Sequence, residues 1–484
     1  MKKVFTWLLV IVGLFACLPC LYSCEKKANI YTKYEITAEY APETKTLAGT
    51  AKVIFKNPTE RELSVLKFQL YPNAYRKDAL YKPVANAYKN TAYYDGDSYG
   101  EMVISSVSGS KNWEVMGEDE NILYVYLERS LYPNERVVLD IGFLTKLANV
   151  NHRTGVTKKT VNLGNFYPIL CGFKKGEFCE TVYYDTGDPF YSDCAEYSLL
   201  LKVPKEYTLA CTGEILEERT LESKKEYTVS ADSVRDFACV LSDKFRLLQS
   251  KIGDTELLYY YYADENPSDT FRVAEDSFAY YEKSFGKYPY GQFSLVETGF
   301  CLAGMEYPQL VMISDSIKGE NRWRTVAHET AHQWWYAVVG SDQIENAWQD
   351  EGLAEYSTAS FFESYETSPL TREKLVADAL KEYRSYYDIY GSVLGRRDTR
   401  MSRGLGEFIS EYEYRCIAYD KPLVMLETFR KSVGNKKFYA GLRKYYTANK
   451  FRMASVGDFI GGFEKVGVDA YGFFDGFLSG KVIL

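Results

Sequence analysis

Two of the three histidines in this chain of 484 residues fall within one short stretch, "RTVAHETAHQWW", Arg324 to Trp335. His328 and His332 are four residues apart. On a helix that spacing puts both imidazoles on one face, about one turn apart, where two ring nitrogens reach a single metal ion. Glu329 lies between them and points to the adjacent side, where a carboxylate can hold and deprotonate a water. This is the His-Glu-x-x-His arrangement, with imidazole ligands and a glutamate general base.

A catalytic zinc site needs a third protein ligand and leaves one position for water. A third histidine on the same segment is excluded, because Trp335 and Val338 stand where that pattern requires Gly and His. The stretch "ENAWQDEGLAEY" supplies a carboxylate instead: Glu351 follows His332 after eighteen intervening residues, at the start of what reads as another helix. Glu355, one turn later, reads better as a supporting or surface residue, and Asp350 points elsewhere by helical geometry. The expected cofactor is one zinc ion per chain, held by His328, His332 and Glu351.

The elements that position these residues divide into two blocks. From Tyr31 to about Leu247, segments such as "YTKYEITAEY", "LSVLKFQLYP" and "EYSLLLKVP" carry β-branched and aromatic residues, several with period-two alternation. Turn signals such as "NPTER" and "YPNER" separate them. Beyond "SKIGDTELLYYYY" the pattern becomes mixed. "PSDTFRVAEDSFAYYEKSFG" has helical spacing and ends on Gly286, strand-like "QFSLVETGF" and "PQLVMISD" follow, and from Arg322 the chain is mostly helical. The expected division is a β-rich domain over residues 25–248 and an α+β domain over 249–484.

Residues 1–23 read as an export signal, with two lysines, an apolar run to about Leu21 and a polar restart at Glu25. "LYSC", ending at Cys24, resembles the lipobox of bacterial lipoproteins. "LFAC", ending at Cys17, is a rival, but the residues after Cys17 stay apolar. Cys24 is therefore the expected lipidation site, and the body is expected outside the cytoplasm, tethered to a membrane by a lipid or anchor, or secreted. Of the seven later cysteines, five lie within residues 171–239, so one or two disulfides are expected there. The net charge is −8 and basic residues are scattered along the chain, singly or in pairs, which excludes the electrostatic footprint of nucleic-acid binding. His152, in the polar stretch "NVNHRTG", reads as a surface or turn histidine with no catalytic role.

"HETAHQWW", "AWQDEGLAEY" and, upstream, "LAGMEYPQLV" together resemble the gluzincin aminopeptidases, the family of aminopeptidase N and the leukotriene hydrolase. The resemblance implies an N-terminal β-sandwich-like domain followed by a thermolysin-like catalytic domain. In that family a glycine-containing Met-Glu-Asn strand precedes the zinc helix, and its glutamate binds the substrate's free α-amine. The matching residues are Gly304, Met305 and Glu306, with Tyr307 in place of the family's Asn. Met305 is the one residue assigned to the wall of the pocket for the first substrate side chain. A further family mark is a Tyr-x-Lys before an apolar helix, and "IAYDKPLVMLETF" provides it with Tyr419. In the family this phenol donates a hydrogen bond to the oxyanion. Tyr414, five residues earlier, is a weaker candidate.

Two departures accompany the resemblance. The amine-binding Gln or Glu that many relatives carry in the β domain has no evident counterpart. The chain also ends 65 residues after Tyr419, so the large C-terminal helical domain of longer relatives is not expected, and the cleft would be covered by the β domain, a partner copy or nothing. The implied reaction is hydrolysis of the first peptide bond of peptides with a free N-terminus. Glu329 takes a proton from the zinc-activated water and returns it to the leaving amine, Tyr419 stabilises the oxyanion and Glu306 fixes the chain end. The competing readings are an endopeptidase or other hydrolase on the same site, and a non-catalytic surface-binding protein. Oligomeric state and side-chain preference are not encoded in any motif.

Overall fold

The computed structural model describes residues 30–366 and 368–484. The β-rich part is built mainly from a seven-stranded sheet and a four-stranded sheet. In the larger sheet the spatial order is Glu214–Thr220, Lys224–Val234, Ala195–Pro204, Thr32–Ala41, Thr46–Lys56, Arg136–Lys146 and Glu101–Ser108. The alternation read from sequence has a direct cause: along Ala195–Pro204 every second residue is buried, as a sheet with one face on the core requires. Tyr34, Tyr167 and Tyr197 meet in that core with ring centroids 4.8–5.8 Å apart. A second four-stranded sheet, Thr208–Cys211, Ala238–Ser242, Val161–Gly164 and Thr154–Val156, lies towards the catalytic half.

The catalytic half begins with a five-stranded sheet ordered Arg246–Ile252, Thr255–Tyr261, Gln292–Thr298, Leu310–Ser314 and Gly304–Met305. The residue 248/249 division falls inside its first strand, which pairs antiparallel with the second. Gln292–Thr298 and Leu310–Ser314 are buried along their whole length, the pattern of strands covered on both faces. The described helices of this half include Pro267–Phe285, Gly319–Ala331, Trp348–Glu363 and Lys421–Val433, together with the long Arg372–Val393 and three further helices of eight or more residues. Among the described residues no helix is long and apolar enough to cross a membrane.

Polar contacts join the halves. Thr298 Oγ1 donates to Asn162 Oδ1 at 2.6 Å and the Tyr307 hydroxyl to Asn165 Oδ1 at 2.8 Å. Buried Arg235 donates to the Tyr336 and Ser192 carbonyls at 3.0 and 2.8 Å. Loops of the β half also pack on the helical half. The loop at Gly187 packs on Leu405 and Tyr414, and Tyr184 packs on Gly406, so closely that a Cβ on either glycine would meet these side chains at 2.7–3.1 Å.

Two sequence expectations are corrected. His152 is not a surface residue: it is 2% exposed, its Nδ1 lies 2.6 Å from the Tyr75 hydroxyl, and its ring packs near Phe300. Nor are there disulfides among the described cysteines, all seven of which are free thiols. Cys171 and Cys179 each follow a two-residue strand and Cys194 precedes the ten-residue strand Ala195–Pro204, and although Cys211 and Cys239 are register partners on neighbouring strands, both are buried free thiols.

A buried ion cluster pins the start of the zinc helix to the sheet. Arg322, in the first turn of Gly319–Ala331, reaches Glu297 and Asp264, each at 3.0 Å. Glu297 also accepts backbone N–H bonds from Tyr262, Ala263 and Asp264 at 2.7–3.1 Å. Arg322→Met would leave two buried carboxylates without their cation, and should cost about 3–5 kcal/mol. Urea unfolding measures this; a loss below about 0.5 kcal/mol would show that the cluster does not anchor the helix.

Candidate active site

Helix Gly319–Ala331 carries His328, and His332 follows at its C-terminal cap in αR conformation, so the one-turn spacing survives to the helix end. The two Nε2 atoms are 3.0 Å apart. Glu351, in the first turn of Trp348–Glu363, brings Oε2 to 3.2 Å from His328 Nε2 and 3.3 Å from His332 Nε2. Three lone-pair donors therefore face one another in the interior. The far nitrogens fix the tautomers: His332 Nδ1 donates to the Trp335 carbonyl at 3.0 Å, and His328 Nδ1 lies 3.2 Å from Glu355 Oε1. Glu355 is itself held by Arg324 at 2.8 Å. This donor set, two imidazoles with their protons turned outward plus one carboxylate, fits zinc with a position to spare.

The charges agree with a cation site. Burial acts to raise the Glu351 pKa, but the two imidazoles override it and hold the carboxyl well below its usual range. Burial works against a charged His328, yet Glu351 and Glu355 lift it to about 9. Without metal the imidazoles take protons from solution to balance the carboxylates, and a metal ion displaces those protons on binding.

Glu329 sits beside this set, 5% exposed, with Oε2 lacking any protein partner. Burial pushes its pKa up to about 7, the range suited to a general base. Its position depends on Gly304. A Cβ there would stand 2.3 Å from Glu329 Oε1 and 2.5 Å from its Cδ, so the absent side chain is the space the carboxylate occupies.

Glu306 extends from the same edge, 4% exposed, and Oε1 accepts from Gln343 Nε2 at 3.1 Å. Burial, then the nearby Asp188 charge, pushes its carboxyl well above the usual range. Asp188 comes from the β domain and ion-pairs with buried Arg153. Its carboxylate lies within 4.8 Å of ligand atoms of Glu306 and Glu351. Asp350 also belongs here: its carboxylate lies within 4.8 Å of Glu306 and His332 ligand atoms. The expectation that Asp350 points away is thus overturned. Asp350 sits in the first turn of its helix, where Oδ1 accepts the Glu351 N–H at 2.9 Å.

Met305 is 1% exposed, and its sulfur accepts a bond from Arg153 Nε at 3.0 Å. Tyr307, where relatives carry Asn, directs its hydroxyl into the β domain. Tyr419 lies on a single π-helical turn, Cys416–Asp420, between helices Glu411–Arg415 and Lys421–Val433. Such turns recur at functional sites because they re-aim one side chain. Its ring stacks 5.9 Å from that of His328 and 5.6 Å edge-on to Tyr414. Burial and then the Glu351 charge raise the phenol well above its ordinary pKa, keeping it a donor. The turn approaches the Glu351 helix closely because Gly352 has no side chain; a Cβ would meet Pro422 at 2.5 Å.

The structure thus gathers His328, Glu329, His332, Glu351, Gly304, Met305, Glu306 and Tyr419 into one region. Sequence reasoning missed Asp188, Gln343 and Arg153. "TGDPF" and "NHRTG" are loops whose approach to the site is a long-range event, with no spacing to betray it. Cys24 lies outside the described residues.

Residues 270–477 match the Peptidase family M1 domain. A curated relative, "Probable aminopeptidase 2" of Sulfurisphaera tokodaii, is 23% identical over 296 residues, covering 56% of this chain; the chain spans only 36% of that relative's length. Among solved structures, an M1 zinc metallopeptidase from Deinococcus radiodurans superposes with a TM-score of 0.63 at 16% identity, covering 95% of this chain and 96% of that one. A mutant of the Deinococcus radiodurans protein bound to a Tyr-ser-ala substrate gives a TM-score of 0.61 at 15% identity, covering 94% and 95%. That fold likeness spans both halves, the β-rich one and the catalytic one. The matched domain, residues 270–477, encloses every residue of the candidate zinc site, and the chain is similar there to M1 peptidases.

Proposed function

We propose that this chain is a zinc-dependent aminopeptidase that hydrolyses the first peptide bond of peptides with a free N-terminus. The observation that carries the reading is the placement of a buried carboxylate, Glu306, on the strand edge that also seats Glu329 against Gly304. When bound by His328, His332 and Glu351, zinc supplies Lewis-acid chemistry, acidifying water and polarising a peptide carbonyl. Glu329 receives the proton of the attacking water and passes it to the leaving amine; its pKa near neutrality suits both transfers. Tyr419, held protonated, donates to the oxygen that gains charge at the scissile carbonyl. Glu306 accepts from the substrate's ammonium and so sets which bond reaches the reacting groups. The names of the relatives, an aminopeptidase and a metallopeptidase bound to a tripeptide, support the same substrate class.

Export and lipid attachment at Cys24 remain part of the proposal on the strength of residues 1–25 alone. The N-terminal peptide of the mature protein should begin at a diacylated Cys24 by mass spectrometry. A peptide that retains Leu21 to Ser23 would contradict it.

The catalytic reading is tested by comparing free and N-acetylated forms of one peptide. Only the free form should be cleaved efficiently, one residue at a time, and Glu329→Gln should keep the zinc while losing about 10²–10⁴-fold in kcat. Equal rates on free and acetylated peptides would reject an aminopeptidase. Gly304→Ala should push the Glu329 carboxylate aside, and a displacement near 1 Å costs about 100-fold in kcat. Zinc content should stay at one per chain. Wild-type kcat in that variant would show that Gly304 does not seat the base.

A further inference from the structure

We propose that Asp350 and Gln343 join Glu306 in an oxygen cradle for the substrate's α-ammonium. The inference rests on the aminopeptidase reading and specifies its substrate-binding site.

The argument starts from acceptors without donors. Asp350 is 1% exposed and Gln343 2% exposed, and both are buried deeply enough that an unbonded oxygen is costly. Yet Asp350 Oδ2 and Gln343 Oε1 have no hydrogen-bond partner in the protein. Their other polar atoms are committed: Asp350 Oδ1 accepts the Glu351 N–H, and Gln343 Nε2 donates to Glu306 Oε1. The carboxylates of Glu306 and Asp350 come within 4.8 Å of each other. A partner with several donors and a positive charge would satisfy these oxygens together. An –NH₃⁺ group has three N–H donors and one charge, which matches oxygens from Glu306, Asp350 and Gln343.

Two other readings of the same cluster are weaker. A second metal ion would draw on His332, whose Nδ1 proton is given to Trp335 and whose Nε2 faces His328 and Glu351. That imidazole has no lone pair left for another ion. Asp188 is the other acid beside Glu306, but Arg153 already pairs with it, and Arg153 is in turn fixed on Met305. Among the described residues no cation pairs with Asp350.

The test uses full-length, zinc-loaded protein carrying Glu329→Gln, so that peptides bind without being cut. Calorimetry compares Leu-Gly with N-acetyl-Leu-Gly. Asp350→Asn keeps the Oδ1 bond to the Glu351 backbone and turns the Oδ2 acceptor into an N–H donor. It should weaken Leu-Gly about tenfold or more, leave the acetylated peptide's affinity in place and keep one zinc per chain. Gln343→Leu should weaken the free peptide in the same sense, and serves if Asp350→Asn does not fold. Asp350→Asn and Glu306→Gln together should remove the preference for the free amine.

Preference unchanged in Asp350→Asn, preference lost instead in Asp188→Asn, or two zinc ions per chain in the unmutated protein would each overturn the proposal while the aminopeptidase reading stands. If the unmutated protein itself binds and cleaves both peptides equally, both readings fall.

Discussion

Everything in the catalytic half is arranged around one electrostatic problem: two imidazole nitrogens and a carboxylate oxygen held 3.0–3.3 Å apart in a dry interior. Lone pairs do not attract one another, and burial removes the water that would screen them. The cluster is stable only with a cation at its centre, either protons or a metal ion. Its supports are built to keep it open. Arg322 pins the start of the histidine helix to the sheet, Trp335 and Glu355 take the outer sides of the rings, and Gly352 lets the Tyr419 turn close against the Glu351 helix.

Around that centre the acids are sorted by what surrounds each one. Glu351 and Glu355 are held ionised by cations, and Glu355 is pushed down to about 2 even though burial opposes it. Glu329 is raised to about 7 and Asp350 to about 8, in both cases chiefly by burial. Asp188 is shared with Arg153. One small volume therefore contains carboxylates suited to ligation, to proton transfer and to holding a cationic chain end. The β half contributes to this directly, because both Asp188 and Arg153 come from it.

The local part of this design was legible in the sequence. Helical period alone puts His328 and His332 on one face and Glu329 on the adjacent side, and Glu351 follows from the need for a third ligand on the next helix. Period-two alternation exposed the strands of the β half for an equally local reason. What was not legible depends on contacts distant in sequence. Asp350 seemed to point away because helical geometry describes helix interiors, whereas in a first turn the side chain can bond the backbone and turn. His152 looked polar by its neighbours, yet Tyr75 gives it a buried partner. The cysteines clustered between 171 and 239 suggested bridges, but nearness along the chain does not put thiols in bonding geometry.

The account's central claim is that one zinc ion occupies the His328–His332–Glu351 centre and that a neighbouring oxygen cradle is reserved for an amine. The most direct measurement is anomalous diffraction at the zinc edge from crystals grown with an amino-acid amide. The account predicts one peak per chain, at about 2.0–2.2 Å from both Nε2 atoms and a Glu351 oxygen. The ligand's amine should lie within hydrogen-bond reach of Glu306 and Asp350. A zinc peak away from that centre, a second metal peak between Glu306 and Asp350, or an amine bound elsewhere would contradict it.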